Sequence, residues 1–517
     1  MGTMADMVGE IMEDIRFLAS EYTESGGFEQ AVYHYRGSAA LGWEVSRNKQ
    51  KRLSLGPGYE AVRVERCGVC STDLARRFLP YPLPQVIGHE MTGFHRGRRV
   101  VVEINASHKS RNLEVDCPFC SNGLETQCPE RITLGINELP GGFGAWVLAP
   151  VGGIVAVPEA VDPLAAALVE PFAAALHGVK ASAPRDGETV AVLGPRRLGL
   201  LTVAALAAWR EQSGRHFEIQ ALSRHPALLD VAKQLGADNG VDLNQVDATA
   251  LEGRFDLVFD TTGRPAGLRD ALTMAKRAVH LKSTHGREVM GLDQLTALVV
   301  DELTLLPGRH HHLHFQWPFQ RRERGNVHIW VSPSVPDAVV ESELMQTAVC
   351  GETRVFHRLP VEKAYARLKQ SQADWADSKR RFPKGGDLPR FDAAIVGSWD
   401  EVDAVIRPNP AEEVGLVRPR GAVLVWADDQ VPAADAPVAP LHRALCERGV
   451  ALMSSRCGDF REAVALLAEQ PQLAESLVRL MVTHVFPADD LGRAFEVAAD
   501  SEQSIKVLVN AGMGLGA

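Results

Sequence analysis

An apolar strand that runs directly into a helix constrains this chain more than any other feature. TVAVLG at 189–194 leads into a helical stretch from Leu198 to Trp209. The run is apolar throughout, so it reads as a buried parallel strand. HFEIQALSR at 216–224 supplies the next strand, ALLDVAKQLG the next helix, and FDLVFDTTG at 255–263 a further strand. Strands alternating with helices predict an α/β fold with a doubly wound parallel sheet. The segment ahead of it, Pro163 to Val179, is helical in composition.

From about 29 to 155 the pattern changes to short β-rich runs, at Ala61 to Val64, Arg99 to Glu103 and Trp146 to Leu148, separated by Gly and Pro. This predicts an irregular, mainly antiparallel domain. Met4, Met7, Val8, Ile11, Ile15 and Leu18 stand at helical spacing, which predicts an amphipathic helix over 4–18 that ends before Gly26 and Gly27. With 517 residues and 45% apolar composition, the chain is too long for one domain and has the material for two or three.

Half a domain recurs further along. FDLVFDTTG at 255, LKSTHG at 281, VVDELTLLPGRHHH at 299 and RVFHRLPVEKAYARL at 354 have counterparts in FDAAIVGSWD at 391, AVLVWADD at 422, LHRALCERGVALMSSRCGDF at 441 and THVFPADDLGRAFEVA at 483. A true duplication and the mere likeness of any two αβ segments both remain open. If the repeat is real, only one copy can complete the first sheet, and the other must form an added lobe, an edge extension or a subunit contact.

The chemistry lies upstream. CGVCSTD at 67–73, GHE at 88–90 and VEPF at 169–172 supply a thiolate, an imidazole and a carboxylate. Cys70, His89 and Glu170 are therefore candidate ligands of a three-ligand catalytic zinc with an open fourth position. Such an ion would polarise an alcohol or carbonyl oxygen. Thr72 is placed to bond the substrate oxygen and pass its proton outward, with Ser71 as a second member of the relay; a turn hydroxyl bonded to its own backbone is the bland reading. Glu90 is either a carboxylate that orients His89 or an intermittent ligand. Asp73 reads as half of a structural ion pair. Cys117, Cys120 and Cys128 have the spacing of a structural zinc loop, and Glu114, or else the adjacent Asp116, is the candidate fourth ligand.

GPRRLG at 194–199 stands where a G-x-G-x-x-G turn would seat a pyrophosphate on a helix N-terminus. Gly194 and Gly199 are present, but Arg196 occupies the middle Gly position, so the turn is either re-routed or uses the guanidinium on the cofactor. Leu198 in the turn and Thr262 after the 255–263 strand are further candidate cofactor contacts. The second strand ends in Ser223 and Arg224 rather than an acid. A hydroxyl followed by a guanidinium suits a 2′-phosphate, so NADP is expected ahead of NAD. His310, His311, His312 and His314 read as a loop, and Cys350, Cys446 and Cys457 as core or incidental thiols.

A net charge of −10 argues against a nucleic acid partner. No apolar run approaches the length of a membrane span, and the acidic opening stretch (Glu10, Glu13, Asp14) does not resemble a secretory signal. Five of the eight cysteines fall between 67 and 128, which suits metal-bound thiols in the cytoplasm better than a disulfide framework.

These motifs, with CPFCSNGLETQC, ALVEPFAAALHGV and the closing FPADDLGRAFEVAADSEQSIKVLV, resemble the zinc-dependent medium-chain dehydrogenase/reductase superfamily, in its alcohol, sorbitol and threonine dehydrogenase branch. The resemblance covers 29 to about 305 and resumes near 441–510. It implies a GroES-like β-rich catalytic domain over 29–160 and 483–517 and a Rossmann domain over 161–305 and 431–482. Residues 1–28 would form a helical extension, and 306–430 an inserted segment that partly duplicates the C-terminal half of the Rossmann domain. It further implies catalytic zinc on Cys70, His89 and Glu170, a relay through Thr72, a homodimer or homotetramer, and hydride transfer between NADP(H) and a secondary alcohol or ketone. The chain departs from the family's pattern at Glu114, at Arg196 and in the inserted block. A non-catalytic zinc protein on the same scaffold is the rival reading.

Overall fold

The structure, a computed structural model, describes residues 12–114, 117–282, 290–292, 295–308, 327–341, 354–378, 390–406, 415–427, 431–500 and 502–512. The histidine cluster at 310–314, Asp116 and Cys350 lie outside these residues. Two compact units are present, the first within 1–115, 128–173 and 457–517, the second within 116–127 and 174–456. No helix among the described residues is long and apolar enough to cross a membrane.

The first unit is β-rich. Glu13–Tyr22, Phe28–Ser38, Gly42–Arg47 and Gln50–Leu55 form an antiparallel meander of four strands. A second sheet runs Ile154–Ala156, Arg98–Val102, Glu90–His95, Tyr59–Gly68, Lys506–Asn510 and Val482–Phe486, with Trp146–Pro150 also paired to Tyr59–Gly68. This is the GroES-like domain, closed by strands from the chain's far end.

The helix expected over 4–18 is corrected where it is described, because Glu13–Tyr22 is a strand. Its ten residues pair antiparallel with Phe28–Ser38, Phe17 opposite Tyr33 and Ala19 opposite Ala31. Period-two alternation sends Phe17 and Ala19 inward and leaves Leu18 46% exposed, although a helical stripe needed Leu18 on the buried side. Cross-strand ring packing, with Phe17 edge-on to Tyr35 at 5.0 Å, outweighs the weak helical periodicity.

The second unit is built on one sheet of eleven strands, here numbered in chain order: β1 Thr189–Leu193, β2 Glu218–Ser223, β3 Asn239–Asp242, β4 Phe255–Asp260, β5 Ala275–Leu281, β6 Thr304–Pro307, β7 Val327–Val331, β8 Arg354–Arg358, β9 Phe391–Val396, β10 Val417–Val425 and β11 Ala451–Ser454. Their spatial order is β3-β2-β1-β4-β5-β11-β6-β10-β9-β7-β8. Among the described residues every pairing is parallel except β6 on β11, which is antiparallel through Leu305 and Leu452. The strands expected at 189, 216 and 255 are present, and helices Arg197–Ser213 and Pro226–Gln234 lie between them. Residues 306–430 contribute β7 to β10 to this same sheet. Strand β11, from the later copy of the repeat, completes the first half beside β5, and one apolar core runs from Val258 and Val279 through Leu305 and Leu452 to Val423 and Trp330.

Candidate active site

Strand Tyr59–Gly68 ends at the cysteine motif, and the chain turns into a short helix, Ser71–Leu74. Asp73 is buried and accepts the Cys70 backbone N–H at 2.9 Å, which fixes where the Cys70 thiol sits. Cys70 Sγ lies 3.8 Å from Thr72 Oγ1, and Ser71 is exposed beside it. His89 arrives through Gly88, whose φ of +97° belongs to glycine, and a Cβ there would stand 2.8 Å from Cys67 Sγ. His89 is only 3% exposed, and its Nδ1, 3.5 Å from Asp73 Oδ1, makes no hydrogen bond among the described residues.

One ligand atom each from Cys70, His89 and Glu90 lies within 4.8 Å of the others. Glu170, in the first turn of helix Val169–Ser182, is not a member of that group. It is coupled to it electrostatically. Burial lifts the Glu170 carboxyl to about 7 against the pull of His89, with Glu90 adding repulsion and Lys506 opposing it. Burial opposes charge on His89, yet Asp73 and Cys70 hold its imidazole well above the ordinary range. A thiol, an imidazole with an orphaned buried nitrogen and two nearby carboxylates form a donor set that fits zinc.

Lys506 was not visible as a site residue in the sequence. Its ammonium, 2% exposed, pairs with Glu90, and it also donates to the Val69 carbonyl at 3.3 Å. Gly68 leaves the room, since a Cβ there would be 2.5 Å from Glu90 Oε2. The pair spans 416 residues of sequence, so no local motif could have disclosed it.

The cysteine loop departs from expectation in its fourth member. Cys117, Cys120 and Cys128 gather with His108, their ligand atoms all within 4.8 Å. Glu114 is exposed and outside the group. Cys128 Sγ lies 3.5 Å from His108 Nδ1, and His108 Nε2 meets Glu130 Oε2 at 2.9 Å, a carboxylate that orients the ring as metal-bound histidines usually require. The legible signal was the imidazole itself, since three thiolates are more readily completed by His than by a carboxylate at a structural zinc.

At the nucleotide turn, Gly194 takes φ +82°, and a Cβ there would meet Thr262 Cγ2 at 2.8 Å. Arg196 stands at the middle glycine position, immediately before helix Arg197–Ser213. Leu198 is half-buried in the first turn, and Gly199 packs on the Gly194 carbonyl. Thr262 donates to Asp260 Oδ1 at 2.7 Å. Ser223 Oγ accepts the His225 N–H at 3.0 Å, so it also shapes the turn after β2, and Arg224 is exposed beside it. The turn places Gly194, Arg196, Leu198, Gly199 and Thr262 at the carboxyl ends of β1 and β4, where doubly wound sheets bind ligands.

A β-rich GroES-like unit carrying a sulfur, nitrogen and oxygen cluster, with a doubly wound unit carrying a glycine turn, defines a class of two-domain dehydrogenase folds. The alcohol dehydrogenase GroES-like domain matches residues 56–159. The chain is 28% identical over 235 residues to a sorbitol dehydrogenase of Halalkalibacterium halodurans, covering 42% of this chain and 66% of that one, just under two thirds of its length. It is 30% identical over 240 residues to an L-threonine 3-dehydrogenase of Streptomyces avermitilis, covering 42% and 67%. In fold it is similar to L-idonate 5-dehydrogenase of Escherichia coli, with a TM-score of 0.51 at 15% identity over 97% of this chain and 100% of that one. The chain belongs to the medium-chain dehydrogenase/reductase superfamily.

Proposed function

We propose that this protein is a zinc-dependent oxidoreductase that moves a hydride between NADP(H) and a secondary alcohol or its ketone. The observation that carries the reading is the approach of Cys70, His89 and Glu90 to within 4.8 Å, with Thr72 at 3.8 Å from the Cys70 sulfur. Zinc held by Cys70 and His89, with Glu170 or Glu90 as the carboxylate donor, would lower the pKa of a bound hydroxyl. Thr72 takes the alcohol proton and Ser71, at the exposed end, hands it to water. Lys506 holds Glu90 and so sets how much negative charge faces the ligand cluster. Gly194, Gly199 and Thr262 seat the dinucleotide, Arg196 contributes its guanidinium to the pyrophosphate, and Arg224 with Ser223 favours the 2′-phosphate of NADP. A second zinc on His108, Cys117, Cys120 and Cys128 is structural. The names of the related proteins, sorbitol and threonine dehydrogenases, support a small polar alcohol as substrate.

Arg196, half-buried at the turn, also supports a rival in which the dinucleotide seat is lost and the chain is a non-catalytic zinc protein. Titration of the purified chain with NADPH and NADH, read by cofactor fluorescence, separates the two. Tighter binding of NADPH is expected, and binding of neither would end the oxidoreductase reading. Cys70→Ser is expected to abolish turnover, because the Lewis acid loses its thiolate ligand, while leaving NADPH binding in place.

A further inference from the structure

We propose that the strands β7 to β11 are a built-in partner of the nucleotide-binding half-domain: a degenerate second copy that exchanges its closing strand, β11, for β6 of the first copy, and whose own ligand crevice is closed by Glu401.

The strand order carries the first part. Outward from the antiparallel β11/β6 junction, one side reads β11, β5, β4, β1, β2, β3 and the other β6, β10, β9, β7, β8, so the second side has no described counterpart of β3 and its closing strand is sixth by position only. Each side is parallel throughout. In chain order β1, β2, β4 and β5 occupy the same successive places in the first half as β7, β8, β9 and β10 do in the second. The sixth strands break that correspondence. Strand β6 follows β5 in the chain but lies on β10, and β11 follows β10 but lies on β5. An ordinary crossover would have set each sixth strand on its own half. The observed arrangement is a reciprocal exchange within one chain, the intramolecular form of a domain swap.

Polar ties hold the exchanged strands. Beyond β11, Ser455 Oγ meets His280 Nε2 at 2.8 Å, and Lys282 at the end of β5 donates to Ser455 Oγ at 2.9 Å. On the other side of the ring, His280 Nδ1 meets Ser182 Oγ at 2.6 Å. Glu302, just ahead of β6, accepts the Arg456 N–H beyond β11 and the Nε of Arg420 in β10, both at 2.7 Å. Both new neighbours of β6 are thereby locked to it.

The second part concerns the crevice. In the first half, strand order reverses between β1 and β4, where Gly194 and Thr262 stand. The equivalent reversal in the second half lies between β7 and β9. There the Glu401 carboxylate accepts Ser332 Oγ at 2.5 Å, Ser334 Oγ at 3.2 Å and the Gly397 N–H at 2.8 Å. A Cβ on Gly397 would stand 2.3 Å from Ser334 Oγ, so the two strand ends are already in contact. The chain's own anion takes the donors that a phosphate would need.

Hydrogen exchange read by mass spectrometry on the full chain, with and without NADPH, tests this; only the choice of probe rests on the function proposed above. Without cofactor, the amides of β4, β5, β6, β9, β10 and β11 are expected to exchange within about tenfold of one another, as one cooperative unit does. Exchange of β7 to β10 about a hundredfold faster than β1 to β5 would show an independent lobe and overturn the proposal. NADPH is expected to slow exchange at 194–199 and leave 332–335 and 397–401 unchanged; slowing at the second crevice would overturn it. If NADPH changes nothing anywhere, the oxidoreductase reading fails, and the cofactor-free exchange map still decides the exchange of strands. In Glu401→Ala the Gly397 amide is expected to exchange at least about tenfold faster, having lost its acceptor, and an unchanged rate would refute the closure.

Discussion

Two residues decide chemistry that the motifs around them leave open. If His108 rather than Glu114 completes the cysteine loop, the purified chain carries two zinc ions, His108→Ala carries one, and Glu114→Gln keeps both, as elemental analysis would read directly. Asp260 makes a different prediction. It is fully buried, its Oδ2 lacks a hydrogen-bond partner among the described residues, and burial raises its carboxyl from 3.8 to about 6, against the bonds from Thr262. The folded state therefore holds this proton more tightly than the unfolded one, so stability falls as pH rises from about 4 to about 6 and stays lower above. The shift corresponds to about 3 kcal/mol. Asp260→Asn can still accept from Thr262 and carries no charge. Its urea midpoint is expected to lose this pH dependence and exceed the parent's near neutrality.

Elements are held where charged groups bridge them. Glu302 links β6, β10 and the segment after β11, and it also meets His177 Nε2 at 3.5 Å. Burial alone would raise its carboxyl, but His177 and Arg420 hold it far below the ordinary range. Its contribution has the opposite sign to that of Asp260: it is complete above the unfolded value of about 4.5 and is lost as pH falls below it. Glu302→Gln is expected to destabilise the second unit by about 2–3 kcal/mol at neutral pH, less than a fully buried pair because Arg420 is partly exposed. Denaturant unfolding at pH 7 and again near pH 4 checks both magnitude and sign. At this scale the sequence was legible where an apolar run was unbroken, as in β1 leading into helix Arg197–Ser213, and misleading at Glu13–Tyr22. There a helical stripe through Ile15 and Leu18 competed with an alternation through Phe17 and Ala19, and only the partner strand with Tyr33 and Tyr35 settled it.

For the molecule as a whole, the sheet of the second unit is the organising body. Trp330 is fully buried in β7, its indole donates to the Leu359 carbonyl at 2.9 Å, and it belongs to the same apolar core as Val258 in β4. Trp330→Ala is expected to cost about 3–5 kcal/mol. The loss should appear as the same midpoint shift whether unfolding is followed by circular dichroism or by the fluorescence of Trp209, which packs on Phe217 in the first half. A Trp209 signal that kept its original midpoint would show that the two halves unfold separately.

The sequence by itself determined the local chemistry. CGVCSTD and GHE bring Cys70, Thr72 and His89 together because their ligand geometry is set within a few residues of a turn, and TVAVLG with its helix sets a parallel sheet because an unbroken apolar run has no wet face to offer. Tertiary structure decided everything that depends on long-range pairing. Lys506 on Glu90 and the exchange of β6 with β11 each join segments that no local spacing relates, while His108 and Glu114 both stand close to Cys117 in sequence and only the path of the loop chose between them. Strands β6 and β11 are both short and mainly buried, so local pattern does not assign either to one half of the sheet. The ends of the strands are tied by Lys282, Ser455 and Glu302, contacts that only the assembled sheet brings together.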